Sequence, residues 1–114
     1  MKQFLFFKGT AIAAFHPDEM DPPFGSGHVD LIPADNTIIS GAQEYLQFTI
    51  KEFELSDTSK AYAQFEKALE CDYADWYLST EWSIGEKAEG AYSILQPMMS
   101  REGYLVFTVG EGGY

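Results

Sequence analysis

Two histidine–aspartate pairs are the residues of this sequence best suited to metal chemistry. His16 is followed two positions later by Asp18, and His28 is followed two positions later by Asp30. In a β-strand, residues i and i+2 point to the same side, so each pair is able to chelate an ion through nitrogen and oxygen ligands. Such short patterns recur by chance, and the sequence has no HExxH motif, no cysteine pair and no calcium-loop spacing. Ordinary histidines at the rim of a loop are therefore the alternative to a metal site.

Motifs of covalent and nucleotide chemistry are absent from the sequence. There is no Gly-x-Ser-x-Gly, no phosphate-binding loop and no Gly-x-Gly-x-x-Gly. Ser26 and His28 do place a hydroxyl near an imidazole, but this spacing in a glycine-rich stretch is more typical of a turn. Carboxylates are abundant, and a general acid also needs a pocket that shifts its pKa, which a sequence does not reveal. We expect no enzymatic activity and no cofactor.

Charge is the most distinctive global property of the chain. Eighteen acidic residues against seven basic ones give a formal net charge of −11, whereas a magnitude of roughly 2–8 keeps a small domain soluble. An acidic surface repels nucleic-acid phosphates and anionic membranes and speeds the encounter with a basic protein. We therefore expect a basic protein partner, and neither a nucleic-acid nor a membrane partner. Solubility alone is the alternative explanation of the charge.

The placement of the acids is more informative than their number. Several of them follow the predicted end of a helix, where Lys67 is the single nearby cation. The carboxyl end of a helix carries partial negative charge, so each acid there costs about 0.3–1 kcal/mol, and acids four positions apart repel each other. Unfavourable residues without visible compensation tend to mark functional positions, and tyrosine is enriched in interfaces. This stretch is therefore a candidate partner-binding surface, the helix-end acidic patch, which comprises Glu70, Asp72, Tyr73, Asp75 and Tyr77.

A second acidic cluster is predicted to lie in a loop. Residues 18–27 contain two prolines and two glycines, which favour turns. Three acids fall within four positions at the start of this loop, and they are a second candidate contact for a basic partner. A solvated acidic face without a partner is the alternative for both clusters. The three acids are Asp18, Glu19 and Asp21.

One helix and one strand are predicted at the centre of the chain. An apolar stripe with helical spacing predicts a helix over about residues 58–72. Strict alternation then predicts a half-buried strand over residues 76–84, whose apolar face carries Trp76 and Trp82. We expect these two tryptophans to pack beneath the helical stripe. The stripe consists of Ala61, Tyr62, Phe65, Ala68 and Leu69.

Further strands are predicted on both sides of this centre. Apolar patterning and turn residues predict strands at about residues 3–8, 10–15, 28–32, 91–96 and 104–109, the last ones forming an antiparallel meander. Pro17 is predicted to end the second strand, because proline cannot donate to a strand ladder. Residues 43–55 fit a helix or a strand: Ser40 with Gln43 resembles a helix capping box, but Phe48, Thr49 and Ile50 make a strand the preferred interpretation.

These elements predict an α+β fold in which an antiparallel sheet of about five to six strands packs against one main helix. The 114 residues suffice for a single domain, and residues 110–114 are predicted to form a flexible glycine-rich tail. The amino-terminal apolar run is shorter than a secretory core, and the single cysteine, Cys71, gives no sign of an oxidising compartment. We therefore expect a cytoplasmic protein, present as a monomer or a small homo-oligomer.

Two functional hypotheses follow from these patterns. The first is a protein-binding module, namely an inhibitor such as an immunity protein or antitoxin. It would neutralise a basic partner, for example a nuclease-type toxin, by occluding its active site with carboxylates in place of substrate phosphates. The alternative is a small metal- or ligand-binding enzyme that uses the region around His16 and His28.

Overall fold

The computed structural model describes residues 2–21, 23–33, 35–54 and 60–110. The α+β class with an antiparallel sheet is confirmed. Three strands precede the helices and three follow them. In chain order the elements are β1 (Gln3–Phe7), β2 (Thr10–Asp21), β3 (Phe24–Leu31), α1 (Thr37–Thr49) with a short 3₁₀ turn (Ile50–Phe53), α2 (Lys60–Cys71), α3 (Ala74–Tyr77), β4 (Trp82–Gly85), β5 (Tyr92–Met99) and β6 (Tyr104–Val109).

The six strands form one sheet that closes into a barrel, in the order β1-β2-β3-β6-β5-β4. β1 pairs with both β2 and β4, so that Leu5 lies opposite Ala13 on one side and Ile84 on the other. β3 pairs with β6 through residues such as His28 and Tyr104. The predicted meander of the last three strands is confirmed, and the β3–β6 pairing joins it to the first three strands.

Helix α1 packs against the barrel and completes its core. The side-chain amide of Gln43 donates to the Ile12 and Ile32 carbonyls at 3.2 and 2.5 Å. The buried Tyr45 hydroxyl donates to the Pro97 carbonyl at 3.0 Å, and the buried Thr49 hydroxyl accepts the Met99 N–H at 2.9 Å. These bonds hold α1 against β2 and β5 while its apolar face joins the core. The buried residues of α1 are Ile39, Ala42, Tyr45, Leu46 and Thr49.

The strand favoured for residues 43–55 is wrong, because residues 43–53 belong to α1 and its 3₁₀ turn. The helix also begins earlier than Ser40: the Asn36 side chain caps it by accepting the Ile39 N–H at 3.0 Å. Buried residues recur at helical spacing along α1, so burial against the barrel overrides the β preference of Phe48, Thr49 and Ile50. Residue 55 lies outside the described residues.

The predicted helix at residues 58–72 is confirmed as α2, although residues 58 and 59 lie outside the described residues. Phe65 and Leu69 of its stripe are buried.

The single strand predicted at residues 76–84 is wrong at its start, because Trp76 belongs to α3 and the strand begins at Trp82. Trp82 lies inside the barrel against Phe7, with ring centroids 4.6 Å apart, rather than beneath α2.

The loop predicted at residues 18–27 is largely a pair of strands. β2 continues through Pro17 to Asp21, where it pairs with Phe24 of β3. The prediction that Pro17 ends the strand is wrong because the pairing of β2 with β1 stops at Phe15, so the rest of β2 has β3 as its neighbour. Proline is tolerated on such an edge, and the ladder adjusts with a register shift between Pro17 and Glu19.

The predicted carboxyl-terminal tail begins later than expected. Gly110 is buried, and its N–H donates to the Ser93 carbonyl at 2.8 Å. Residues 111–114 lie outside the described residues. Within the described part of the chain, no helix is both long and apolar enough to cross a membrane.

Candidate protein-binding surface

The helix-end acidic patch lies where α2 turns into α3. The N–H groups of Asp72 and Tyr73 both donate to the Ala68 carbonyl, at 2.7 and 3.0 Å, and so end α2. The Tyr77 N–H then donates to the Tyr73 carbonyl at 2.8 Å, which closes the single turn of α3. Backbone hydrogen bonds therefore hold the members of the patch in one compact helix–turn–helix segment.

Acids and tyrosines of the patch differ in their exposure. Glu70, Asp72 and Asp75 are exposed, whereas Tyr73 and Tyr77 are half-buried. The Tyr73 ring stacks on Phe48 of α1, with ring centroids 4.3 Å apart and planes 22° apart. Tyr73 therefore packs the segment against α1, while the carboxylates remain in solvent.

A carboxylate that the sequence analysis did not select lies close to this patch. Burial raises the pKa of Tyr73, and the negative charges of Glu44 and Asp72 raise it further. Glu44 is exposed on α1, so it extends the negative surface across from α3. It was missed because residues 43–55 were interpreted as a strand, which gives no reason to place Glu44 beside Tyr73.

In the part of the chain that the structure describes, no cation forms an ion pair with an acid of the patch. Among the described residues there are two ion pairs, His16 with Asp30 at 3.1 Å and Arg101 with Glu54 at 2.6 Å. Neither pair includes an acid of the patch. Its negative charge is therefore available to an external cation.

Two grooves flank α3 and add apolar surface to the acids. The first, the α1–α3 groove, has a volume of about 190 Å³ and is lined by Phe7, Lys8, Thr37, Ile38, Asp75 and Trp76. The second has a volume of about 260 Å³ and is lined by Tyr77, Leu78, Ser79, Leu95, Gln96 and Thr108. Ile38 is 41% exposed and Leu78 is 59% exposed. Each groove therefore places one exposed apolar side chain close to a residue of the helix-end acidic patch.

The second acidic cluster lies on β2 rather than in a loop. Asp18 and Glu19 are exposed, and Asp18 accepts a hydrogen bond from the Tyr104 hydroxyl at 2.9 Å. Glu19 lines a concavity of about 300 Å³ together with Phe24, which is 64% exposed. The backbone of Asp21 pairs with Phe24, but its side chain lies outside the described structure. This cluster therefore presents two described carboxylates and one exposed aromatic ring.

The four metal-ligand candidates are exposed on paired strands. His16 and His28 lie directly opposite each other, and His16 Nε2 is 3.1 Å from Asp30 Oδ2. His28 instead packs edge-on against Tyr104, at 5.1 Å between ring centroids, and Asp18 bonds to the same tyrosine. In the described part of the chain, no group of three or more His, Cys, Asp or Glu residues is placed to hold a metal ion.

Tyr104 and Ser26 lie beside these candidates of the β2–β3 hairpin, and the sequence offers no reason to place the two residues together. The Tyr104 hydroxyl lies 2.9 Å from Asp18 Oδ2 and 2.8 Å from Ser26 Oγ. A carboxylate only accepts, so Tyr104 donates its one proton to Asp18 and accepts from Ser26. Tyr104 arrives through the β3–β6 pairing, which no local pattern predicts.

The fold and this surface define a class: a small acidic α+β protein whose exposed carboxylates surround half-buried aromatic residues. Comparisons with known proteins do not narrow the class further. No protein-family model, no curated protein and no solved structure matches this chain.

Proposed function

We propose that this protein is an acidic binding module that inhibits a basic partner protein, in the manner of an immunity protein or antitoxin. The observation that supports the proposal is the helix-end acidic patch, whose exposed carboxylates form no ion pair within the described residues and lie next to half-buried tyrosines. Carboxylates attract a basic active site over long distances and speed association. Tyrosine and tryptophan side chains then supply contact energy at short range.

A nuclease-type toxin is the partner that suits this chemistry best. Its active site binds phosphates, and Glu70, Asp72 and Asp75 would occupy the same cationic groups. We place this inhibitor in the cytoplasm, because Cys71 is free and exposed and a reducing compartment keeps such a thiol unmodified.

A pull-down from the native host lysate, at low and at high salt, tests the proposal. We expect one basic protein in near-stoichiometric amount at low salt, identified by mass spectrometry, and a weaker yield at high salt because ions screen exposed charges. The purified partner should lose its activity when this protein is added. Recovery of no basic protein at low salt would contradict the proposal.

A charge-matched pair of variants then locates the interface. We expect Glu70→Gln/Asp72→Asn to weaken binding of that partner at least about tenfold, since two favourable charge contacts are lost. Glu86→Gln/Glu89→Gln removes the same charge from the exposed β4–β5 turn and should weaken binding much less. Equal losses in the two variants would mean that overall charge, rather than the helix-end acidic patch, attracts the partner.

Ligand or metal binding at the β2–β3 hairpin is the second candidate function. The observation that favours it is that two small groups share the hairpin surface: His16 contacts Asp30, while Asp18 and His28 contact Tyr104. It predicts a stoichiometric metal in protein purified without a histidine tag, and loss of that metal in His28→Ala. Metal-free protein that also fails to take up added Zn²⁺ would contradict the metal-binding form of this candidate.

A further inference from the structure

The α1–α3 groove combines one accessible aromatic side chain with one carboxylate. Half-buried Trp76 of α3 contributes the aromatic surface, and Phe7 of β1 lines the groove at only 4% exposure. Ile38 of α1 is 41% exposed, and Asp75 is exposed. Close helix packing fixes the tryptophan: a Cβ atom added at Gly41 would lie 2.9 Å from Trp76 Cζ2. The groove is therefore bounded by side chains whose positions are set by the barrel and by α1.

The groove already contains a cation from the protein itself. The Lys8 ammonium lies over the Phe7 ring, 5.5 Å from its centroid, and Lys8 is one of the residues that line the groove. This distance is within the range of a cation–π interaction. The groove thus accepts a positive charge on an aromatic surface.

Lys8 has a backbone conformation that does not favour lysine. It has φ of 52° and is followed by Gly9 with φ of 76°, in a two-residue loop between the paired residues Phe7 and Thr10. Positive φ at both central residues is the pattern of a type I′ turn, which prefers asparagine followed by glycine. The Lys8 side chain is therefore not required by the turn, and asparagine suits this position better.

The surroundings of the groove are more negative than its lining suggests. Asp35 is exposed immediately before the cap of α1, and Glu81 is exposed with its carbonyl accepting the Lys8 N–H at 3.1 Å. Asp75 in the lining and these two neighbouring acidic residues are thus partly balanced by one lysine of the lining, Lys8. The charge complements a cationic side chain and disfavours an anionic one.

We infer that the α1–α3 groove receives an arginine side chain of the basic partner, and that Lys8 occupies this groove in the free protein as an internal competitor. The inference rests on the proposed function and names the chemistry that the partner presents. The guanidinium stacks on the Trp76 ring while Asp75 accepts its N–H groups. Arginine fits better than lysine because its planar, weakly hydrated group stacks on aromatic rings and pairs bidentately with carboxylates.

A short peptide tests the groove without the natural partner. The probe is acetyl-Gly-Gly-Arg-Gly-Gly-amide, and the matched control carries citrulline, which has the shape of arginine without its charge. Binding is followed by the ¹H–¹⁵N chemical shifts of backbone amides. We expect the arginine peptide to shift amides of Ile38, Asp75 and Trp76 with a Kd on the order of 1 mM, and the citrulline peptide to bind at least about tenfold more weakly.

Two charge-matched variants test the roles of Asp75 and Lys8. We expect Asp75→Asn to weaken the arginine peptide about threefold relative to Glu89→Gln. Lys8→Asn should tighten it about threefold relative to Lys87→Asn, since the competing ammonium is removed. Glu89 and Lys87 are both exposed in the β4–β5 turn, outside the groove.

The outcomes separate this inference from the proposed function. Equal binding of the arginine and citrulline peptides, shifts outside the groove, or no difference between Lys8→Asn and Lys87→Asn would overturn the inference. If these negative results accompany a recovered basic partner, the proposed function stands and the arginine site does not. If the peptide binds the groove as expected but the host lysate yields no basic partner, the arginine site stands and the inhibitor role does not.

Discussion

The core where α1 meets the barrel and the surface around α3 differ in burial and in how their polar groups are paired. In the core, Tyr45, Thr49 and Trp82 are fully buried, and within the described residues every buried side-chain nitrogen or oxygen has a hydrogen-bond partner. Around α3, the described carboxylates of the helix-end acidic patch form no ion pair, Leu78 is 59% exposed, and Lys8 has a left-handed backbone conformation. The core is arranged for stability, whereas the surface retains features that stability alone does not favour. Such a contrast is typical of a binding surface carried on a rigid scaffold.

The largest expected effect distinguishes an interior residue from a surface residue. Trp82→Ala should lower the free energy of unfolding by about 3–5 kcal/mol, because it leaves a cavity in the barrel. Leu78→Ala, the matched apolar truncation on the surface, should change it by less than about 0.5 kcal/mol. Urea denaturation monitored by far-ultraviolet circular dichroism measures both. Similar losses in the two variants would mean that Leu78 contributes to the core and is not available to a partner.

A second variant tests the bonds between α1 and β5. Thr49→Val keeps the shape of the side chain but removes the acceptor of the buried Met99 N–H. The unpaired N–H should lower the free energy of unfolding by about 1–3 kcal/mol. Thr80→Val, at an exposed position, is the control in the same urea experiment. A loss no greater than that of the control would show that the Met99 N–H finds another partner.

Alkaline pH tests how strongly the core holds Tyr45 neutral. Burial, followed by the nearby Tyr77, raises the pKa of Tyr45 in the folded protein. The folded state therefore retains a proton that the unfolded state releases above a pH of about 10. The stabilisation that Tyr45 provides is complete below that pH and is lost as the pH rises further. Above that pH the slope from this residue should approach about −1.4 kcal/mol per pH unit, and it should average roughly half of that between pH 9 and 11. Tyr45→Phe should remove that part of the slope in urea denaturation between pH 9 and 11, and an unchanged slope would contradict the assignment.

The smallest expected effect concerns the turn beside the α1–α3 groove. Lys8→Asn should raise the free energy of unfolding by up to about 1 kcal/mol, because asparagine adopts the left-handed conformation more readily than lysine. Thermal unfolding against Lys87→Asn measures the difference and corrects for the loss of one charge. If Lys8→Asn is both more stable and tighter for the arginine peptide, the native Lys8 destabilises the turn and competes with the peptide for the groove.

The sequence predicted local patterns better than long-range ones. The stripe of α2 and the strands at residues 3–8 and 104–109 were recognisable because their burial follows the period of one element. The same period was present in α1, but the β preference of Phe48, Thr49 and Ile50 led to the wrong choice. The extended pairing of β2 with β3 was missed since Pro17 and the glycines favour turns. Residues 24–28 form a strand because they pair with β6 as the barrel closes, and residues 16–21 extend β2 by pairing with them.

Only those residues of the candidate site that follow from a local pattern were predicted, because contacts between distant elements are not visible in the sequence. Exposed acids at the end of α2 follow from charge and helical spacing, so Glu70, Asp72 and Asp75 were identified directly. Glu44 and Ile38 were not identified, because they approach α3 only when residues 37–49 form a helix packed against the barrel. Lys8 was not identified, because it reaches the groove from the turn between β1 and β2. A groove formed by three separate elements has no signature in any one stretch of the chain.

The hydrogen bond between the two tryptophans couples the surface to the completion of folding. Trp82 Nε1 donates to the Trp76 carbonyl at 2.8 Å, so the position of α3 depends on a residue inside the barrel. The barrel closes through β1–β4 and β3–β6 pairs that are distant in sequence, and such non-local contacts form slowly compared with helices. Early folding species with helices but no closed barrel would therefore lack the positioned α3. A partner that recognises the groove would select fully folded molecules over partly folded ones.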